Sequence, residues 1–202
     1  MLRRAIKRCA QGIAIVFAAP LALLSGFGRF RSLFLLGAHT FAVTPGVPGV
    51  YLRAAFYWMT LRRSELDVYL HFGAFFSHPE VELGKDVSIG PYTMIGRAVI
   101  GERTQIAGGV QIVSGTKQHL RDAAGKLTDE GRVFQALRIG AHCWIGAGAI
   151  IANDVGDRTT IGSGAVVVKP IPSDATAVGN PARVLEDPSP RTPADSMPRP
   201  TA

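Results

Sequence analysis

The stretch Ile139-Gly-Ala-His-Cys-Trp144-Ile-Gly-Ala-Gly-Ala-Ile-Ile151 decides the fold, because in it an aliphatic residue followed by a small one returns after six positions. The same beat runs upstream through Leu83, Ile89, Ile95, Ile100, Ile106 and Ile112, at spacings of 6, 6, 5, 6 and 6. It pauses, then resumes at Ile139, Ile145, Ile151, Val155, Ile161 and Val167, at spacings of 6, 6, 4, 6 and 6. An amphipathic helix repeats its apolar face about every 3.6 residues and a half-buried strand every two, so neither produces this beat. Four residues after most of these aliphatics stands a second small or β-branched residue: Val87, Thr93, Val99, Thr104, Val110, Cys143, Ala149, Thr159 and Ala165.

A six-residue beat suits a coil with three flat sides. Each side is a short strand offering one inward aliphatic, and the glycine after it occupies a corner where a side chain would clash. One coil cannot bury its own aliphatics, so coils must stack and pair their backbones with the coils above and below. A sandwich of short strands would need regular hairpin turns and alternation with period two. The expectation is an all-β fold, a parallel β-helix over residues 71–186, interrupted by an excursion loop over 113–137.

The flanks differ in composition. The chain has 202 residues and a net charge of +7, yet residues 1–63 hold nine basic side chains and no Asp or Glu; the remainder carries 13 basic against 15 acidic, or −2. Those cations are interleaved with apolar runs, Gly12 to Phe27 around Pro20 and Leu33 to Val43. That favours an anionic lipid surface over nucleic acid as partner. The first run, cut by Pro20, falls short of the roughly 20 residues a spanning helix needs, which suggests a peripheral or half-inserted anchor. A signal peptide and a plain helical cap on the domain are the alternatives. Pro45-Gly-Val-Pro-Gly-Val50 reads as a turn, with a short amphipathic helix over Tyr51 to Leu61. Residues 1–70 are thus expected as a helical, membrane-associating segment. Residues 187–202, with five prolines, are expected as a disordered tail. Two distant cysteines, Cys9 and Cys143, suggest no disulfide framework or zinc set, and a reducing compartment.

Three segments carry a resemblance: the quoted stretch, then Ile161-Gly-Ser-Gly-Ala-Val-Val-Val-Lys169-Pro-Ile-Pro, then Val178-Gly-Asn-Pro-Ala-Arg183-Val. Over residues 72–186 the chain resembles the left-handed β-helix acyltransferases with hexapeptide repeats, which include serine, maltose and galactoside acetyltransferases and polysaccharide O-acetyltransferases. The left hand comes from the resemblance, since the general preference for right-handed crossovers points the other way. The resemblance implies an acetyl-CoA-dependent O-acyltransferase, homotrimeric with its site between subunits, acting on a sugar or cell-surface polysaccharide precursor. The basic N-terminus suggests an acceptor at the cytoplasmic face of the membrane, and the residues suggest no bound metal and no nucleic acid partner.

Acyl transfer from a thioester to a hydroxyl needs a base that removes the hydroxyl proton and returns it to the leaving thiolate, and histidine suits both steps. Of His39, His71, His78, His119 and His142, only His119 stands in the excursion, and long departures from a rigid scaffold tend to carry function. The resemblance also places a catalytic histidine there, so His119 is the expected general base, with Asp122 a candidate to orient it. Ser114 and Gln118 on the same excursion are assigned to the acceptor. By resemblance, Trp144, Ala147 and Ser163 line the thioester end of acetyl-CoA, and Lys169 and Arg183 meet its nucleotide end. His39 belongs to the apolar segment and His71 and His78 to packing or capping at the first coil. His142 is a surface residue or lines the acyl-CoA groove. No phosphate-binding loop, dinucleotide fingerprint or nucleophile elbow appears. The rival readings are a non-catalytic scaffold, a small acceptor such as serine or an antibiotic, and a hexapeptide carbonic anhydrase, which would need three converging histidines.

Overall fold

The structure, a computed structural model, describes residues 2–114, 120–121, 124–128 and 135–185. Three helices come first, α1 (Leu2–Leu24), α2 (Arg31–Ala42) and α3 (Gly46–Thr60). Short strands then wind into stacked coils. The first coil holds β1 (Tyr69–Leu70), β2 (Phe75–Phe76) and β3 (Glu82–Leu83); the second holds β4 (Ser88–Ile89), β5 (Met94–Ile95) and β6 (Ala98–Ile100). The third opens with β7 (Gln105–Ile106) and β8 (Gln111–Ile112), departs through an antiparallel pair β9 (Leu120–Arg121) and β10 (Leu127–Thr128), and closes with β11 (Leu137–Ile139). The fourth holds β12 (Trp144–Ile145) and β13 (Ile150–Ile151), and the fifth β14 (Thr160–Ile161) and β15 (Val166–Val167), followed by β16 (Thr176–Val178) and β17 (Arg183–Val184).

Three sides result. The first side stacks β1, β4, β7, β12, β14 and β16, the second stacks β2, β5, β8, β13 and β15, and the third stacks β3, β6 and β11, extended by bridges Ile139–Val155–Ile171. All these pairings are parallel and in register, so Ile89, Ile106, Ile145 and Ile161 form one ladder and Ile95, Ile112, Ile151 and Val167 another. The stacked, parallel coil expected from the beat of six is what the chain forms. β17 turns back antiparallel on β16.

The second inward position of each side also falls where expected, with one exception. Val87, Thr93, Thr104, Val110, Cys143, Ala149, Thr159 and Ala165 are buried, whereas Val99 is half-exposed between buried Ala98 and Ile100. The five-residue spacing from Ile95 to Ile100 shifts the phase by one, and alternation in a strand then turns Val99 outward. The buried threonines donate to carbonyls of the following coil: Thr93 Oγ1 to Ala107 O at 2.9 Å, Thr104 Oγ1 to Gly140 O at 2.7 Å and Thr159 Oγ1 to Pro172 O at 2.8 Å. Where a glycine follows the aliphatic, as at Gly101 and Gly140, space requires it. A Cβ on Gly101 would lie 2.4 Å from Ala141 N, and one on Gly140 2.4 Å from Asp157 N.

Two boundaries move. The coil begins within the segment assigned to 1–70, because Arg63 bridges Glu82 and β1 pairs β4. Leu70 and Phe76 fill the inward places there without a following glycine, so the motif is silent. α1 also runs unbroken through Pro20 for 23 residues, where an interruption was expected. Ala14, Ala18 and Ala22, packed inward on both sides of the proline, hold the helix across it. α3 starts earlier than expected, at Gly46, with Pro48 in the first turn, where a backbone N–H has no helical partner.

The helices cap the first coil. Phe34, Phe41, Phe56 and Tyr57 form an aromatic layer that reaches Phe76 of β2, with the Tyr57 and Phe76 rings edge-on at 4.7 Å. Arg53, counted among the lipid-facing cations, is buried instead. Its guanidinium donates to Phe41 O at 2.8 Å, Ala42 O at 3.4 Å and Thr44 O at 2.8 Å, the C-terminal carbonyls of α2, and to Leu70 O of β1 at 3.0 Å. A cation at a helix C-terminus satisfies orphan acceptors and opposes the helix dipole. Arg53→Met is expected to lower the unfolding free energy by about 3 kcal/mol or more, because buried carbonyls lose a charged donor. A shift in urea midpoint worth less than about 1 kcal/mol would contradict this role.

Candidate active site

The excursion leaves at the corner between the second and third sides. Val113 is still in register, its N–H donating to Ile151 O at 3.0 Å, and the chain returns at Gln135, whose N–H donates to Ser114 O at 3.1 Å and closes the neck. Ser114, assigned to the acceptor, is 3 % exposed and its Oγ accepts the Arg97 backbone N–H at 2.9 Å, a contact that ties the neck to the coil below. Gly96 admits this contact, since a Cβ there would lie 2.3 Å from Ser114 Oγ. His119, Gln118 and Asp122 lie outside the described residues.

Beneath the neck the same corner carries a polar cluster of which only His78 was expected, and that as a packing or capping residue. Arg97 Nη2 donates to Glu80 Oε1 at 3.0 Å, and buried His78 shares a 3.0 Å hydrogen bond between its Nδ1 and Ser77 Oγ. Burial holds the His78 pKa below its ordinary value, the positive charges of Arg31 and Arg97 add to that, and Glu80 opposes it. Two coils beyond the excursion, Lys169 stands exposed at the same corner, after β15.

The residues assigned to the thioester lie at a different corner, between the first and second sides. Trp144 of β12 is half exposed, and Ala147 and Ser163 sit one above the other on consecutive coils, where Gly164 N–H donates to Ala147 O at 2.8 Å. Beside them Gly148 and Gly164 both adopt φ +68, and a Cβ at either would meet nothing within 4 Å. The result is an open backbone ledge to which an extended ligand can lie close. Arg183 is exposed on β17, along the edge of the first side. One chain therefore brings Trp144, Ala147 and Ser163 together, sets Lys169 on the corner from which the excursion leaves, and holds the two groups on opposite edges of the second side.

His142 belongs to neither edge. It occupies the corner between the third and first sides, with φ +56 and its Nε2 3.9 Å from Glu102 Oε1. Asp86, Arg103, Arg158 and Asp174 share that corner and its left-handed backbone, and pair along it, Arg158 with Asp174 at 2.7 Å. His39 packs edge-on to Phe75 and His71 to Tyr69. Among the described residues no group of three or more His, Cys, Asp or Glu side chains comes together as a metal site.

Known proteins resemble this chain in sequence and shape. No family model matches it. Serine acetyltransferase 4 of Arabidopsis thaliana is 32% identical over 120 residues, covering 55% of this chain and 31% of its own length. Serine acetyltransferase of Haemophilus influenzae is 34% identical over 122 residues, covering 59% of this chain and 42% of its own. The bifunctional protein GlmU of Paracoccus denitrificans is 30% identical over 125 residues, covering 61% and 25%. The chain thus spans well under half the length of these curated relatives. A maltose O-acetyltransferase structure from Clostridium difficile superposes with TM-score 0.64 at 23% identity, covering 81% of this chain and 87% of that one. A galactoside acetyltransferase solved with coenzyme A gives 0.58 at 20% identity, covering 78% and 82%. At these identities the superpositions establish the fold.

The lowered pKa of His78 has a consequence for stability. Below the ordinary histidine value of 6.5, the unfolded chain binds a proton that folded His78 resists, so stability falls as the pH drops through and below 6.5. Thermal melts between pH 7.5 and 5.5 are expected to show this acid loss in the wild type and a flatter profile in His78→Gln. Equal slopes in the two proteins would remove His78 as its source.

Proposed function

We propose that this chain, which belongs to the hexapeptide-repeat acyltransferase family, transfers an acyl group, acetyl in the first instance, from acyl-CoA to a hydroxyl of a sugar or cell-surface polysaccharide precursor. The observation that carries the reading is the pairing of a tied-down excursion at one edge of the second side with an open backbone ledge at the other. His119, borne on the excursion, takes the proton of the attacking hydroxyl. As that oxygen bonds to the thioester carbonyl carbon, the C–S bond breaks, and His119 returns the proton to the departing sulfur. Ala147, Ser163 and the glycines beside them offer backbone to the pantetheine arm, with the face of Trp144 at its reactive end. Lys169 and Arg183 supply cations for the phosphates, and Gln118 is assigned to the acceptor.

The separation of the two edges supports a homotrimer. If the excursion edge of one copy faces the ledge of the next, each site is shared by two subunits, and a closed ring satisfies every such contact. Use of acyl-CoA and two free cysteines favour the cytoplasm. The curated relatives' names favour a second acceptor, serine, and an acceptor panel separates the two. A scaffold without activity would bind no coenzyme A.

His119→Ala is expected to lower thiol release from acetyl-CoA by about 100-fold or more with coenzyme A binding retained. Ala147→Trp, which fills the ledge, is expected to weaken coenzyme A binding by about tenfold or more. Wild-type turnover in the first variant would move the base elsewhere, and unchanged affinity in the second would move the groove.

A further inference from the structure

The helical cap has its apolar residues arranged opposite to those of a water-soluble helix. α1 turns Ala14, Ala18 and Ala22 inward against α3 and presents Ile13, Val16, Phe17, Leu23 and Leu24 outward; Ala18 is 0 % exposed, Val16 70 % and Phe17 69 %. Helices that pack in lipid put small residues at the contact and large apolar ones on the outer face, since lipid is as apolar as leucine. Large exposed apolar faces on soluble proteins mark an interaction surface. The outward face continues through Phe27 and Phe30. An apolar cleft of about 570 Å³, lined by Ile13, Phe17, Phe41, Val47 and Leu52, opens between α1 and the start of α3.

Length and composition alone would let Arg4–Leu24 cross a bilayer. The contacts of α1 oppose that. Near one end, Lys7 Nζ lies 2.7 Å from Asp67 Oδ1, and Gln11 Nε2 donates to Leu66 O at 3.1 Å and to Asp67 Oδ1 at 2.9 Å. Just past the other end, Gly28 packs so tightly on the end of α3 and the first coil that a Cβ there would lie 2.4 Å from Thr60 O and 3.0 Å from Pro79 Cβ. Both ends of α1 are therefore fastened to the same end of the coil stack, and the helix lies across it. Exposed cations flank the apolar face at both ends, Arg4 and Arg8 at one and Arg29 and Arg31 at the other, and the first acidic residue in the chain is Glu65.

We infer that the outer face of the helical cap docks on an anionic lipid bilayer as a monotopic surface, with α1 in the plane of the membrane rather than through it. Apolar side chains between two cationic ends suit the boundary between headgroups and acyl chains, and the cleft suits a hydrocarbon chain. The coil stack then stands away from the membrane with its corners in water. This inference is independent of the acyl-transfer reading and of which acceptor is used.

The test is flotation of the full chain with vesicles of phosphatidylcholine alone or mixed with phosphatidylglycerol. Binding is expected to be strong on the anionic vesicles and weaker on neutral ones. The Val16→Glu, Phe17→Glu double variant, altered only at exposed positions, is expected to bind about tenfold less or weaker still, with turnover on soluble acceptors unchanged. For orientation, a membrane-impermeant maleimide added outside the vesicles is expected to label Arg4→Cys and Ser32→Cys variants alike, each at an exposed position near one end of α1 and made in a Cys9→Ser chain. Protection at one of the two would overturn the in-plane arrangement. Absence of flotation with anionic vesicles would overturn the docking surface. So would wild-type self-association that the double variant abolishes, because a second copy would then cover the face.

Discussion

Everything in this molecule depends on backbone hydrogen bonds that run between coils. A strand of two residues has no stability of its own, and here each finds its partners one turn away: Gln105 N–H donates to Cys143 O, Trp144 N–H to Thr159 O and Thr160 N–H to Ala175 O. The stack holds as long as each coil can approach the next, which is why Gly101 and Gly140 meet the following backbone where a Cβ would stand. Two consequences follow from the same constraint. Extra chain can leave only at corners, where it breaks no ladder, and the excursion does so between Val113 and Gln135. The two ends of the stack also expose unpaired edges and need covers, supplied by the helices at one end and by β17 at the other.

The repeat was legible because it reflects that constraint directly: an inward aliphatic about every six residues, followed at most corners by a glycine beneath the next backbone. Legibility failed where other chemistry meets the same need. Leu70 and Phe76 close the first coil against Tyr57 and the aromatic helix layer, so no glycine announces them. Arg53 looks in sequence like one more surface cation, and only the convergence of Phe41, Ala42, Thr44 and Leu70 carbonyls around it explains its burial. α1 keeps going past Pro20 because tertiary packing of small residues outweighs the local penalty.

The layout of the candidate site was not legible in sequence. The break in the spacing marked the excursion, and the resemblance pointed to Ala147 and Ser163. Neither showed that these belong to different edges of one side, nor that Ser114 Oγ holds the neck to Arg97. The His78, Arg97 and Glu80 cluster was missed because Arg97 joins His78 and Glu80 from the next coil, and sequence spacing carries no signal of that contact. In the proposed acyl transfer, the coil supplies rigid edges and a complete site joins the excursion edge of one copy to the ledge edge of another, which leaves the helical cap at one end of the stack for other contacts.

The most direct test of that layout is turnover by mixed oligomers, made by co-expressing His119→Ala and Ala147→Trp chains. If each site joins the excursion of one subunit to the ledge of its neighbour, random assembly rebuilds an intact pair at roughly a quarter of the interfaces, and that fraction of wild-type turnover returns. If both elements of a site come from one chain, every site in the mixture carries a defect and the mixture stays as inactive as its parents, which would contradict a shared site.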